Sequence, residues 1–339
     1  MPYLFTRSTT RAVATLVVGV ASALPALVSA QAPTAPSPLA DSLLVRPLAF
    51  RAIGPASMSG RIADVSVVEG PRNLRGGRLG TSMYVAVATG GVWKTTNGGL
   101  AWTPVSDSIG VGSIGAVAAA PSNGDVVWVG SGEANNMRSS SWGVGVFKST
   151  DGGKTWSKPM LPKSQHIGRI VIDPRDPDIV YVAAMGPLWA PGGERGLFKT
   201  IDGGKTWTNT KSISAQTGFT ELVMDPANPD VLYAASYQRR RHTWTLINGG
   251  PGSGIHKTTD GGATWKQTVN GIPGVVDSPL VGGRTWNGSD VVGLPDGTAF
   301  AVSDGRLYRS RDAGLTWREV GAGILQSPNP FVPSVFQPS

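Results

Sequence analysis

The sequence predicts an all-β protein: a β-propeller of four-stranded antiparallel blades, with about five full blades plus a closing or partial sixth. The first observation behind this is an eight-residue motif that occurs five times, at 95–102, 149–156, 200–207, 258–265 and 310–317. Its third positions, Asn97, Asp151, Asp202, Asp260 and Asp312, lie 54, 51, 58 and 52 residues apart. A fixed period near 50, built from short strands and glycine turns, is the signature of a propeller or array. The second observation is a set of nearly continuous apolar runs, such as Asp178–Ala184 and Asp230–Ala235. Such runs suit strands covered on both faces, as in a blade between two neighbours. The third is turn chemistry between the first two strands of a repeat, Asp173–Asp178 and Asp225–Asp230, where Pro fixes φ and Asp or Asn bonds its own backbone.

The chain opens with a segment that reads as a secretory signal. Arg7 and Arg11 precede a mostly apolar run, Ala12–Leu24, and Val28-Ser29-Ala30 fits a small-residue cleavage site. Cleavage before Gln31 would leave 309 of the 339 residues, enough for one large β domain with its own core. The run is short for a membrane span and is followed by Pro25; an uncleaved anchor is the alternative. Residues 31–44 form a Pro-rich linker, and 45–339 the propeller. The location implied is exported, periplasmic or extracellular.

The blades then follow in order. Arg61–Asp107 supplies the first. The second is expected to have strands at 114–120, 126–130, 144–148 and 156–158, and the third at 167–172, 179–184, 196–199 and 207–210. Asp290–Val320 supplies the fifth. Phe50–Pro55 and Phe331–Phe336 are left over, to pair as a closing element or form part of a sixth. In each repeated motif the Asp or Asn can accept N–H groups of its own turn, and the glycines supply positive φ. Trp102, Trp156, Trp207, Trp265 and Trp317 then give large apolar surfaces to pack between sheets. The repeated acidic residues are therefore expected to be structural.

The motif Ser/Thr-x-Asp-x-Gly-x-Thr-Trp resembles the Asp-box, or BNR repeat, found in sialidases, sortilin-type Vps10 domains, xyloglucan-degrading enzymes and a photosystem assembly-factor family. The whole repeat is most similar to bacterial secreted proteins of the sortilin-like BNR group. The resemblance covers about residues 50–270, and 290–320 more loosely. It implies the propeller fold and leaves activity open, because propellers host unrelated functions. Two copies depart from it: Asn97 and Ala101 replace Asp and Thr in the first, and Ala313 replaces Gly in the fifth.

Zero cysteines exclude disulfides, thiol chemistry and cysteine zinc sites. The three histidines, His166, His242 and His256, are scattered, so neither metal nor cofactor is implied. The net charge of +8, or +6 without Arg7 and Arg11, favours acidic glycans, anionic headgroups or an acidic partner, or serves solubility alone. Nucleic acid is not expected, because no basic helix or aromatic RNA motif is present.

Strand order places the first-to-second turns and the repeated motifs on one rim. The second-to-third loops and the blade connections lie on the other, which carries the unusual sequence and is the expected functional face. Glu133 and Glu194 fall there, and two carboxylates across a pocket could hydrolyse a glycoside; alternatively Glu133 caps its own loop with Asn135, Asn136 and Arg138. A sialidase-like carboxylate site could be cast from Arg138, Tyr237, Arg239, Arg240 and Arg241, with Arg239 and Arg241 sharing one side of an extended segment. Phe50-Arg51-Ala52-Ile53-Gly54-Pro55 meets the early sialidase signature only in part. Trp142, Trp189, Trp244 and Trp286 suit sugar stacking, a protein interface or packing over the channel. Two functions follow. The first, favoured, is an exported binding or scaffold propeller for a protein, peptide or glycan, such as an accessory or assembly subunit of an envelope complex. The second is a sialidase-like or glucanase-like glycoside hydrolase using rim carboxylates. Membrane contact would come only through an uncleaved N-terminus or a membrane-complex partner.

Overall fold

The computed structural model describes residues 61–70, 80–134, 139–244, 246–268, 290–293, 298–303, 306–312, 314 and 316–321. The signal segment, the linker, Phe50–Pro55, Asn135, Asn136, Arg138, Trp286 and Phe331–Phe336 lie outside these residues. The described chain is a β-propeller of five antiparallel blades. Blade 1 holds β1 (Ile62–Val68), β2 (Ser82–Val87), β3 (Gly91–Thr95) and β4 (Thr103–Pro104), in that order. Blade 2 holds β5 (Ile114–Ala120), β6 (Asn123–Ser131) and β7 (Val146–Ser149). Blade 3 holds β8 (Ile167–Ile172), β9 (Val180–Ala184), β10 (Gly196–Thr200) and β11 (Thr208–Lys211). Blade 4 runs β12 (Thr217–Met224), β13 (Leu232–Arg241), β15 (Gly254–Thr258) and β16 (Lys266–Gln267), with β14 (Leu246–Asn248) paired to the far end of β13. Blade 5 holds β17 (Asp290–Gly293), β18 (Ala299–Ser303), β19 (Arg306–Ser310) and β20 (Arg318–Gly321). The first strands pack in sequence, β1 on β5, β5 on β8, β8 on β12 and β12 on β17, so they line the centre.

The fourth strand expected at 156–158 does not form. Ser157 instead spends its hydroxyl on the Lys148 N–H at 3.0 Å and its N–H on the Lys148 carbonyl. The edge of blade 2 is finished by a single bridge, Val146 to Met160.

The repeated motif builds one hydrogen-bond cage four times, and a reduced form of it in the first copy. In the second copy the Asp151 carboxylate accepts the Ser149 hydroxyl at 2.8 Å, the Thr155 N–H at 2.9 Å and the Thr155 hydroxyl at 2.6 Å. Ser149 Oγ in turn accepts the Gly153 N–H at 2.8 Å. Those donors, the Thr155 hydroxyl first, hold the Asp151 carboxyl down at about 2. The same bonds recur around Asp202, Asp260 and Asp312. The first copy explains its own departures. Ala101 has no hydroxyl to donate, and Asn97 Oδ1 alone accepts the Ala101 N–H at 2.9 Å. A second anionic oxygen would have no hydroxyl to bind there.

Each motif tryptophan after the first fills the seam to the preceding blade. Trp156 packs between blades 1 and 2, Trp207 between 2 and 3, Trp265 between 3 and 4, and Trp317 between 4 and 5. Trp156 Nε1 donates to the Val105 carbonyl of blade 1 at 2.6 Å.

A second device in the seams is a cation on an aromatic ring. Lys94 lies over Tyr84, Lys148 over Trp128, Lys199 over Tyr181 and Lys257 over Tyr233, each 5.0–5.3 Å from the ring centroid. Lys94, Lys148 and Lys199 then reach the carbonyls of Gly152, Gly203 and Gly261, in the motif of the next blade, at 3.3, 3.2 and 2.8 Å. The signal was present in sequence: a Lys stands directly before the Ser or Thr of four motifs, and Arg309 before the fifth.

Candidate functional site

The rim assignment follows from contacts. Gly152, Gly203 and Gly261 donate to the carbonyls of Asp125, Asp178 and Asp230, so the motifs of blades 2, 3 and 4 touch their own blade's first hairpin turn. The opposite rim is interlocked separately. Gly143 N–H reaches the Gln165 carbonyl, Met185 N–H that of His166, Gly192 N–H that of Ala215, and Arg241 N–H that of Leu188.

Glu133 begins the loop after β6. Its N–H is held by the Ser113 hydroxyl and the Ser141 carbonyl, both at 3.0 Å, and its carboxylate pairs with Arg61. The side chain is fully buried. The Glu133 carbonyl accepts Nδ1–H of His166 at 2.7 Å, which fixes the neutral Nδ1–H tautomer. Arg239, at the end of β13, is buried and donates to the Ala134 carbonyl at 3.3 Å, reaching past blade 3 to blade 2. Four blades therefore meet at Glu133, and Arg61 and His166 are the partners that sequence reading missed. Arg239 is held down at about 9, chiefly by burial and then by the charge of Arg195.

Tyr237 is buried, and Arg241 is half-buried. Glu194 is occupied by the Lys163 N–H at 2.7 Å. Glu133 and Glu194 therefore each serve a loop contact, and the described residues show no open carboxylate pair on this rim. Arg195, buried behind the 185–194 loop, donates to the carbonyls of Met185, Pro187, Ala190 and Gly192 and sets that loop's shape. A long, donor-rich Arg directly before β10 was the available sequence signal.

The aromatic residues behave differently. Trp142 is 67% exposed, Trp189 42% and Trp244 81%, on the rim loops of blades 2, 3 and 4 in turn. Trp244 stacks on His242 at the tip of the β13–β14 hairpin, centroids 5.2 Å apart. The Arg241–Leu188 bond ties that hairpin to the loop bearing Trp189. The rim thus offers exposed ring faces, with Arg241 tied to the loop that bears Trp189, which suits ligands with apolar ring faces.

The central channel carries a polar network of its own. Arg169 on β8 binds Asp64 on β1 at 2.7 Å and Glu221 on β12 at 2.6 Å. Asp64 also accepts the Val117 N–H of blade 2 at 3.1 Å. Burial pushes the Asp64 carboxyl up against the opposing pull of Arg169. These groups join blades and are committed to one another.

Two buried histidines give a pH prediction. His166 is pushed down to about 3 and His256 to about 4, in both mainly by burial. Below the ordinary value near 6.5 the unfolded chain takes up protons that the folded chain refuses, so stability present at pH 7 is lost as pH falls. The loss is roughly 1 kcal/mol per histidine at pH 5.5. Calorimetry is expected to show Tm lower by about 5 °C at pH 5.5 than at pH 7.5. His256→Phe, matching Phe147 and Phe198 at the same place in blades 2 and 3, should reduce that slope.

Comparison with known proteins agrees with this architecture. Residues 145–275 match the Sortilin-Vps10 family model (sortilin, neurotensin receptor 3). A xyloglucanase of a Paenibacillus species is 29% identical over 247 residues, covering 64% of this chain and 23% of that protein. A xyloglucanase of Hypocrea jecorina is 25% identical over 317 residues, covering 70% and 37%. The chain therefore spans 23% and 37% of these relatives' length. Among solved structures, an ancestral GH74 enzyme superposes with TM-score 0.52 at 20% identity, covering 80% of this chain and 32% of the other. The GH74 enzyme of Niastella koreensis gives TM-score 0.52 at 17% identity, covering 76% and 38%.

Proposed function

Taking the chain as the Asp-box β-propeller that it is, we propose that it is the glycan-engaging propeller of a glycoside hydrolase of the xyloglucanase kind, secreted by its N-terminal signal. Its target is a β-glucan of the xyloglucan class. The observation that carries this is the sequence relationship to xyloglucanases. The exposed tryptophans on three successive blades support it, because sugar rings stack on indole faces. This moves weight from the scaffold reading favoured by sequence alone toward the hydrolase reading.

Within that reading the chain's own residues have distinct parts. Trp142, Trp189 and Trp244 form the sugar-facing arc. Arg195 and Arg239 are positioning residues that fix the loops beneath it. Glu133, buried against Arg61, acts here as a loop anchor rather than as an open acid.

The test is affinity electrophoresis of the secreted chain in gels containing xyloglucan, with reducing-end release measured in parallel. Retardation with release supports the hydrolase. Retardation alone reduces the claim to glycan binding. Absence of both retardation and release sinks the proposal and returns attention to a protein or peptide partner in the envelope. The variant Trp189→Ala/Trp244→Ala is expected to weaken retardation about tenfold, with Tm unchanged, because both rings are exposed.

A further inference from the structure

Blades 2, 3 and 4 are each covered by the blade before, and the coverage follows one rule. The first strands of blades 1 to 4 each carry a bulge, at Ala63, Gly115, Gly168 and Thr220. Two and four residues after the bulge stand the side chains that face the preceding blade. In blade 2 these are Val117 and Ala119, 3% and 8% exposed, under Tyr84 and Val92 of blade 1. In blade 3 they are Ile170 and Ile172, 3% and 6% exposed, under Trp128. In blade 4 they are Leu222, 1% exposed, and Met224, under Tyr181. The same positions in blade 1 are Val65 and Val67, 44% and 48% exposed.

The cation seat repeats the difference. A methyl group at Gly152 would meet Lys94 and Asp125, and one at Gly203 would meet Lys148 and Asp178. At Gly98 it would meet nothing within 4 Å. Among the described residues, blade 1 thus carries the receiving half of a blade seam and none supplies the delivering half. Blade 5 carries the delivering half. Phe300 pairs with Arg309 across β18 and β19, in the register of Tyr84 with Lys94 and Trp128 with Lys148. Phe300 is half-buried, where Tyr84, Trp128, Tyr181 and Tyr233 are buried.

We propose that the open face of blade 1 is a docking surface for blade 5 of a second copy of this chain, joined head to tail. Arg309 of one copy, paired in register with Phe300, reaches the Gly98 carbonyl of the other, while the blade 5 face covers Val65 and Val67. Such a contact is heterologous, giving a ring if the rotation closes and a longer assembly if it does not. Blade 1 has Thr81 where the later blades have Asp125, Asp178 and Asp230, and Asn97 where they have Asp. The incoming cation therefore meets a carbonyl without a carboxylate, and association is reversible and concentration-dependent.

The experiment is light scattering across a concentration series on the secreted chain, with Val65→Glu and Arg309→Glu beside it. Both side chains lie in the proposed contact, and unchanged Tm for the variants separates loss of contact from loss of fold. Concentration-dependent self-association, weakened about tenfold or more by either charge change, is expected. The chain has no cysteine, so cross-linking is clean. A Leu100→Cys chain mixed with an Arg311→Cys chain, whose substituted side chain is also exposed and which keeps Arg309, should give a dimer with a short bismaleimide. Leu100 is exposed, as are Lys154 and Lys205 at its place in later copies, so it reports position without filling the seam. A monomer at every concentration overturns the proposal. So does cross-linking within a single doubly substituted chain, which would mean that the ring closes on itself.

Discussion

Trp128→Ala is expected to lower the unfolding free energy by about 3–5 kcal/mol, the range for removing a fully buried large aromatic side chain. Trp128 sits on β6 and is 0% exposed. Its ring meets Trp207 edge to face, centroids 5.8 Å apart, and carries Lys148 at 5.2 Å. Removing it empties the seam between blades 2 and 3 and strands the Lys148 cation that reaches Gly203. Denaturant unfolding would show the midpoint fall at unchanged slope. Trp128→Phe should cost less than half as much. It keeps a ring for Lys148 and Trp207 and deletes an indole N–H that has no acceptor within reach. Equal losses for the two variants would mean that the ring kept by Phe contributes neither packing nor a seat for Lys148, and would overturn the cation–ring staple.

That comparison also marks what was legible in the sequence. The motif cages, the period and the order of strands followed from local chemistry: Ser149, Asp151, Gly153 and Thr155 bond one another within seven residues. The missing fourth strand of blade 2 was not legible, because it depends on the competition at Ser157 between ladder and side-chain bonding. The site divided in the same way. Trp142, Trp189 and Trp244 were placed on the rim by strand order alone, and they are exposed there. Glu133, Tyr237 and Arg239 were placed on the same rim by the same reasoning, and they are buried. The partners that bury Glu133 and Arg239 come from other blades: Arg61 is 72 residues from Glu133, and Ala134 is 105 from Arg239. No local pattern carries such distances, whereas an exposed ring at a loop tip needs no distant partner.

The second large effect concerns backbone rather than side chain. Gly115→Ala is expected to prevent folding, or to cost more than the roughly 1–3 kcal/mol typical of overpacking. Gly115 is the bulged residue of β5, and a Cβ there would fall far inside contact distance of the carbonyl oxygens of Ile167 and Gly132. Both obstacles are main chain. One begins β8 of the next blade, and the other turns toward Glu133, so neither yields by changing a rotamer. The methyl group would drive blades 2 and 3 apart and lengthen the seam that Trp128, Ile167 and Ile170 fill. Gly168, bulged in β8 against the Thr220 carbonyl of blade 4, should respond in the same way. Thr220 occupies the equivalent place in blade 4, so a side chain is tolerated where the next blade packs differently. The sharp comparison is therefore soluble yield and circular dichroism of Gly115→Ala and Gly168→Ala against Thr220→Ala. Collapse of the first two with a native-like third would place the packing constraint at the bulges of blades 2 and 3. Native-like behaviour of all three would show that the seams can open by an ångström, and the blades would then have to be regarded as loosely coupled.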